Sequence, residues 1–398
     1  MLVQTYKDML SGKSVIRQLS EFATARGQEI GYENVFDYSL GNPSVPVPRE
    51  FTDRMIHMLA TKEPLELHGY SPSLGITSVR EAIAENLEKK FGLPYRKEHI
   101  FMASGAAGAL AHAFRLVTEP GDEILTFAPF FPEYHPYVDL TGAVLKVVPP
   151  NLENFQINFE AFEEMLTEKV KAVLINTPNN PSGVVYSTPT LQRLADILSE
   201  KSKEYGHIIY LISDEPYREI VFEGVDSPCV SYFYDNTIMC YSFSKSLSLP
   251  GERIGYIIVP DEMEDSKRVM AAVNGAGRAL GFVCAPVLFQ RVAAMCADVP
   301  SDIAAYARNR DLLYNGLTEL GYECVRPQGA FYLFVKSPEP DANAFSERAK
   351  KHDVLVVPSD SFGCPGYVRI SYCVAEKTIV DSMPAFKAIM EEVKAEQK

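Results

Sequence analysis

Short, continuous apolar runs recur through the middle of the chain, each closed by small or polar residues and then followed by apolar positions at helical spacing. The runs at 100–103, 123–128, 143–148, 170–176, 207–214, 236–240 and 254–259 read as buried strands, and 104–117, 159–167 and 191–205 read as helices between them. Strand, turn and helix repeating in this way argue for a mostly parallel sheet covered by helices on its faces. Before this block, mixed positions at 14–27 predict a helix, 36–40 a short strand and 50–60 a second helix. Gly69, Pro72 and Gly75 hold off any further helix until Ile76, after which 78–84 starts an amphipathic one. After the block, 261–273 reads as a helix broken by the glycines of 274–281, and 302–320 as a long amphipathic helix. Strands are expected at 329–335, 354–357 and 366–371, and a closing helix at 376–394. This last third carries fewer buried runs and more charge, so a smaller α+β unit is expected beside the α/β one.

Length and composition narrow the class. With 398 residues, 46% of them apolar, the chain can bury more than one core. A net charge of −14 and no basic run make nucleic acid a poor partner. Residues 1–10 give way to Ser11-Gly12-Lys13 before a long apolar stretch can form, so neither a leader nor a membrane span is expected, and the cytoplasm is the default location. Seven cysteines without a C-x-x-C pair fit reduced thiols, not a disulfide or zinc framework; Cys364, between Gly363 and Pro365, is expected to be the exposed one.

Chemistry-bearing residues gather at the ends of the expected strands. Between the runs at 236–240 and 254–259 stand Ser242, Ser244, Lys245, a Pro250-Gly251 turn and Arg253. An ammonium group that is desolvated or set near another cation loses its proton, which makes a lysine there able to attack a carbonyl; a surface lysine bracketing a turn is the plain alternative. The run 207–214 ends in Asp214, at the strand end where open α/β sheets bind ligands. A buried carboxylate there needs a cationic partner or takes up a proton. Gly105, Ala106 and Ala107 follow a strand and open a helix, where free amide groups and the helix dipole favour a phosphate. Arg369 lies inside an apolar strand, and a guanidinium grips a carboxylate through two parallel bonds. Read singly, each of these has an ordinary structural account: a turn, a helix cap, a packed aromatic or an internal salt bridge.

Taken in order, the motifs resemble those of the class I/II aminotransferases, the fold type I pyridoxal phosphate enzymes. The resemblance rests on Gly41-x-Pro43; on Tyr70 to Ile83, which matches the family's Tyr-x-x-x-x-Gly-x-x-x-Leu-Arg-x-Ala-Ile except for Val79; and on Pro129-Phe130-Phe131. It continues through Asn180-Pro181-Ser182-Gly183, Asp214-x-x-Tyr217, Ser242-x-x-Lys245 with Arg253 eight residues on, and Arg369-Ile370-Ser371. It implies an α/β fold with a mostly parallel seven-stranded sheet, a large domain over 44–290 and a small domain made of 1–43 and 291–398. The cofactor implied is pyridoxal 5′-phosphate, bonded to Lys245, with Asp214 paired to its ring nitrogen, Asn180 and Tyr217 at its ring hydroxyl, and Phe131 stacked on the ring. The phosphate would meet Gly105, Ala106, Ala107, Ser242 and Arg253, joined by Tyr70 from the neighbouring subunit, so a homodimer with shared sites is expected. Both residues after Gly105 are alanine where many relatives carry a polar side chain, which leaves the backbone amides to do more. The substrate would contact the backbone of Gly41, Asn180 and, through its α-carboxylate, Arg369. Arg278 lies one residue from the position where dicarboxylate-specific relatives carry an arginine, and is expected to meet either a distal carboxylate or only the partner chain.

The activity so implied moves an amino group from an L-amino acid to a 2-oxo acid such as 2-oxoglutarate, with no metal. Two other activities use the same residues: a carbon–sulfur β-lyase with the same cofactor, and a non-catalytic sensor that binds the cofactor. The donor amino acid is not legible, because the loops that read its side chain carry no interpretable pattern.

Overall fold

In the computed structural model, which describes residues 6–7, 14–92, 94–299 and 301–396, the apolar runs of the middle region pair into one sheet. Its strands are β2 (Ile100–Ala103), β3 (Glu123–Phe127), β4 (Val144–Val148), β5 (Val170–Asn176), β6 (Tyr210–Asp214), β7 (Thr237–Ser242) and β8 (Gly255–Ile258), after a short β1 (Phe36–Asp37) that lies elsewhere. They run in the order β2-β8-β7-β6-β5-β3-β4. All neighbours are parallel except β8, which is antiparallel to both β2 and β7.

The strands read as unbroken apolar runs because both faces are covered. One face packs Ala109, Leu110, Ala113 and Phe114 of the Gly105–Val117 helix on Ile212, Ile238 and Ile257. The other packs Leu191, Leu194 and Leu198 of the Thr188–Tyr205 helix on Val173, Ile175 and Leu211. Only β4, at the edge, carries an exposed position, Val144, with Lys146 and Val147 half-buried. Because β5, β6 and β7 are parallel neighbours, in register at Asn176, Asp214 and Cys240, their carboxyl ends open on the same side.

A second region is built on β9 (Tyr332–Lys336), β10 (Val354–Leu355), β11 (Val357–Pro358) and β12 (Tyr367–Ser371). β11, β12 and β9 form an antiparallel sheet, while β10 pairs in parallel with β1. Tyr38, just past β1, is buried in the same core as Phe331, Tyr372 and Phe386, and its hydroxyl bonds Ser382 Oγ at 2.7 Å. The chain's two ends therefore share one core.

Three expectations are corrected. The stretch 354–357 is not one strand: Val356 turns the chain from one sheet to the other, and uniformly apolar residues cannot show that change. The glycines of 274–281 do not break a helix, since Ser266–Leu280 is continuous and ends at Gly281, in the left-handed region at φ +78°. Gly277 is there for close packing; a Cβ on it would lie 2.6 Å from Cε1 of His112. Cys364 is buried at 1% exposure in a cluster with Phe155 and Phe334, so its flanking Gly and Pro do not bring the thiol to the surface. The expected lack of a leader at 1–10 falls mostly outside the described residues. No helix among the described residues is long and apolar enough to cross a membrane.

Candidate active site

A cavity of about 320 Å³ opens where β5, β6 and β7 end, walled on its far side by β9 and β12. Gly41, Ala106, Ala107, Phe131, Asn180, Asp214, Tyr217, Ser242, Lys245, Arg253 and Arg369 all line it. Residues from one end of the chain to the other are thus brought to a single space.

Lys245 reaches the cavity through local geometry. The Ser242 hydroxyl at the end of β7 accepts from the Ser244 amide at 3.1 Å, capping the one-turn helix Phe243–Ser246 that carries the lysine. Its Nζ donates to the Gly41 carbonyl at 2.5 Å and lies 5.5 Å from the centre of the Phe331 ring. Burial lowers its pKa to about 8, and the charges of Arg369 and Arg253 push in the same direction. Desolvation is thus the larger cause, ahead of crowding by arginine.

Across the cavity, Asp214 closes β6 at 5% exposure. Its Oδ2 accepts from the Tyr134 hydroxyl at 2.6 Å, while Oδ1 is buried with no partner. Burial raises its pKa to about 7, with the neighbouring Glu215 adding to the rise and the Tyr134 bond opposing it. A free oxygen on a buried acid is a place for a cation or a donor. The turn after β5 is tied down beside it. Asn176 Nδ2 donates to the Asp214 carbonyl at 2.9 Å, and Asn176 Oδ1 accepts from the Asn180 amide at 2.7 Å.

The opposite end suits an anion. The Gly105–Val117 helix starts at the end of β2 with no side-chain cap, so its first amides stay available. Gly105 sits at φ +73°, and a Cβ there would lie 2.8 Å from Nη2 of Arg253, so backbone and guanidinium converge. Arg253 itself stands in the left-handed region at φ +52°, its Nη1 bonded to the Pro250 carbonyl at 2.9 Å.

Arg369 completes the wall from β12, only 2% exposed. Its Nη1 donates to Asn180 Oδ1 at 3.1 Å and its Nη2 to the Ser39 carbonyl at 2.6 Å, while Nε has no partner. The guanidinium lies against the rings of Tyr332, at 4.8 Å, and Phe362, at 5.2 Å. Among the described residues no carboxylate comes within ion-pair distance, so an internal salt bridge does not account for it. A buried cation without a counter-ion favours an anionic ligand.

Two expected residues stand apart. Tyr70 is 89% exposed, on a surface depression it shares with Leu65 and Arg291, and Arg278 is exposed in the last turn of its helix; neither lines the cavity of its own chain. Sequence reading passed over Tyr134, Asn176, Tyr332 and Ile16. Tyr134 lies three residues after Phe131, and a hydroxyl-bearing aromatic so close to a ring-stacking position was a usable signal. Tyr332, inside an apolar strand, gave none.

The family described as Aminotransferase class I and II matches residues 33–382. A probable aspartate/prephenate aminotransferase of Aquifex aeolicus is 31% identical, with 93% of this chain and 95% of that one covered. Aromatic-amino-acid aminotransferase 2 of Thermococcus litoralis is 30% identical, with 96% of each covered. A crystal structure of an amino transferase from Eubacterium rectale superposes with a TM-score of 0.95 at 50% identity, covering 98% of this chain and 99% of that one. The family match runs from before Gly41 to beyond Arg369 and so takes in every residue of the cavity but Ile16; the chain belongs to the class I and II aminotransferases, enzymes that transfer amino groups.

Proposed function

We propose that the cavity holds pyridoxal 5′-phosphate on Lys245 and uses it to exchange an amino group between an L-amino acid and a 2-oxo acid. The observation that carries this reading is the pairing, across one cavity, of a lysine brought down to about pH 8 with a buried acid that keeps one oxygen free. The residues fit the cofactor at each of its groups. Asp214 Oδ1 would take the ring nitrogen, and Tyr217 and Asn180 the ring hydroxyl. Phe131 would cover the ring face, and the amides of Gly105, Ala106 and Ala107, with Ser242 and Arg253, would hold the phosphate. When bound, the cofactor supplies a cationic pyridine ring that draws electrons from the substrate's α-carbon.

The chain's own residues do the rest. Arg369 grips the α-carboxylate and so fixes which bond at the α-carbon faces the lysine. Lys245 Nζ, whose burial lets it shed its own proton from about pH 8 upward, accepts the proton from the α-carbon. A positioned proton carrier of this kind is worth on the order of 10² to 10⁴ in rate. The Gly41 carbonyl, which accepts from Nζ at 2.5 Å, keeps the amine at the cavity wall, and the Gly41 backbone lies where the substrate's carboxylate would pass.

The reading extends to organisation. A large domain over 44–290 and a small domain of 1–43 with 291–398 are supported by the division of strands between the sheets. A homodimer is supported by the exposure of Tyr70, Leu65, Ile56 and Val283, apolar residues outside the cavity, whose phosphate end Tyr70 of a partner would complete. A cytoplasmic location is supported by cysteines that are all free.

A panel of amino donors with 2-oxoglutarate as acceptor tests the activity, with pyruvate release from cystathionine as the competing readout. Lys245→Ala should abolish both turnover and the bound cofactor's visible absorbance. A variant that keeps either sinks the assignment.

A further inference from the structure

Tyr332 meets Tyr217, Gly41, Gly183 and Arg369, and the proposed activity leaves it without a role. It is buried at the start of β9. Its hydroxyl lies 2.8 Å from that of Tyr217. The same hydroxyl sits directly beneath Gly41, where any Cβ would collide with it, so the residue whose carbonyl holds Lys245 must be glycine for the phenol to fit. Its carbonyl packs against Gly183 in the Asn180–Gly183 turn, leaving 2.6 Å to a Cβ built there. The Arg369 guanidinium lies 4.8 Å over its ring.

Two phenols at 2.8 Å share one hydrogen between their oxygens and keep one to give away. Neither hydroxyl has another partner among the described hydrogen bonds. Tyr332 is wedged under Gly41, whereas Tyr217 lies at the end of the cavity where Asp214 stands. The arrangement that uses both hydrogens has Tyr332 donating to Tyr217 and Tyr217 donating into the cavity. A donor that itself accepts a hydrogen bond is a stronger donor, and the cation on the Tyr332 ring strengthens the first link.

We propose that Tyr332 is a positioning residue that fixes and strengthens the hydrogen bond Tyr217 offers to the bound ring. This rests on the proposed cofactor. The consequence is a definite sign. Donation from Tyr217 draws charge from the ring oxygen, which then holds less firmly the proton it shares with the lysine-bound nitrogen, so that proton leaves at lower pH. Removing the donor raises the pH midpoint of the holoenzyme's visible absorbance.

The test is a spectrophotometric pH titration of the holoenzyme in wild type, Tyr217→Phe, Tyr332→Phe and the double variant. Tyr332→Phe keeps the ring under Gly41 and Arg369 and removes only the hydroxyl. We expect Tyr217→Phe to raise the midpoint by roughly one unit and Tyr332→Phe by roughly half a unit. The double variant should go no higher than Tyr217→Phe, because the second hydroxyl acts only through the first. A midpoint moved by Tyr217→Phe but unmoved by Tyr332→Phe overturns the relay and leaves the cofactor reading standing. A wild-type protein with no visible band lost in Lys245→Ala overturns both. Should Tyr332→Phe not fold, 3-fluorotyrosine at 332, with the same shape and a more acidic hydroxyl, must lower the midpoint; an unmoved midpoint overturns the relay.

Discussion

Lys245 and Asp214 are displaced toward neutrality from opposite sides, one lowered to about 8 and the other raised to about 7, and burial is the first cause of both. For the lysine, this makes a neutral amine available above about pH 8 and not only above the ordinary 10.5. Cofactor-free protein treated with formaldehyde and cyanoborohydride should therefore alkylate Lys245 with a rate midpoint near pH 8, read by peptide mass spectrometry; a midpoint near the ordinary lysine value would contradict the burial argument. For the acid, the folded state holds its proton more tightly than the unfolded one. Its contribution to stability is thus full below about pH 4 and is lost as pH rises through about 7. Asp214→Asn cannot ionise. The cofactor-free variant should gain on wild type by roughly 3 kcal/mol between pH 4.5 and pH 8 in urea melts, while binding the cofactor far more weakly. Both residues were legible in the sequence because a charged group at the end of an apolar run is conspicuous. Tyr134 and Tyr332 were not, because an aromatic in an apolar setting looks like core until its hydroxyl is seen to meet another residue distant in sequence.

At the level of elements, the sheet was readable because each strand of its interior is a mostly apolar run between turn residues, and the order of turns and helices left little choice of partner class. The smaller region was harder. β1, β10 and β11 are two residues each, too short for any periodicity, and the partner of β1 lies more than three hundred residues away, at β10. The short Tyr134–Asp139 and Val287–Met295 helices were missed for the same reason of length. The Gly105–Val117 helix offers a direct test of the anion site. Alanine at 105 would have to adopt φ +73° and crowd Arg253 Nη2 at 2.8 Å. We expect Gly105→Ala to weaken cofactor binding by about tenfold, since it turns the first amides and displaces the guanidinium together, and to destabilise the fold by about 1–2 kcal/mol. Fluorescence titration and thermal melts read the two effects separately. Unchanged cofactor affinity would remove the helix terminus from the site.

At the scale of the whole molecule, Tyr70 lies outside the cavity of its own chain. It stands 89% exposed, held on its loop by the bond from Gln290 Nε2 to the Ser71 hydroxyl at 3.2 Å and by the Gly75 amide bonded to the Pro72 carbonyl at 2.8 Å. A large aromatic exposed on an ordered loop is open to being covered by a second chain. If the partner's cavity is where it goes, each site takes Lys245 from one chain and Tyr70 from the other. Lys245→Ala should be inactive, and Tyr70→Ala should lose much of its turnover through weaker phosphate binding. Mixed in equal amounts and allowed to exchange, the two should form heterodimers in which one site has lost both residues and the other has lost neither. Half the dimers would be mixed, so activity should return to about a quarter of wild type, with cofactor affinity at the restored site unchanged. Were each site built from one chain alone, mixing would yield no more than the average of the two variants, and Tyr70 would be a surface residue with no part in the chemistry.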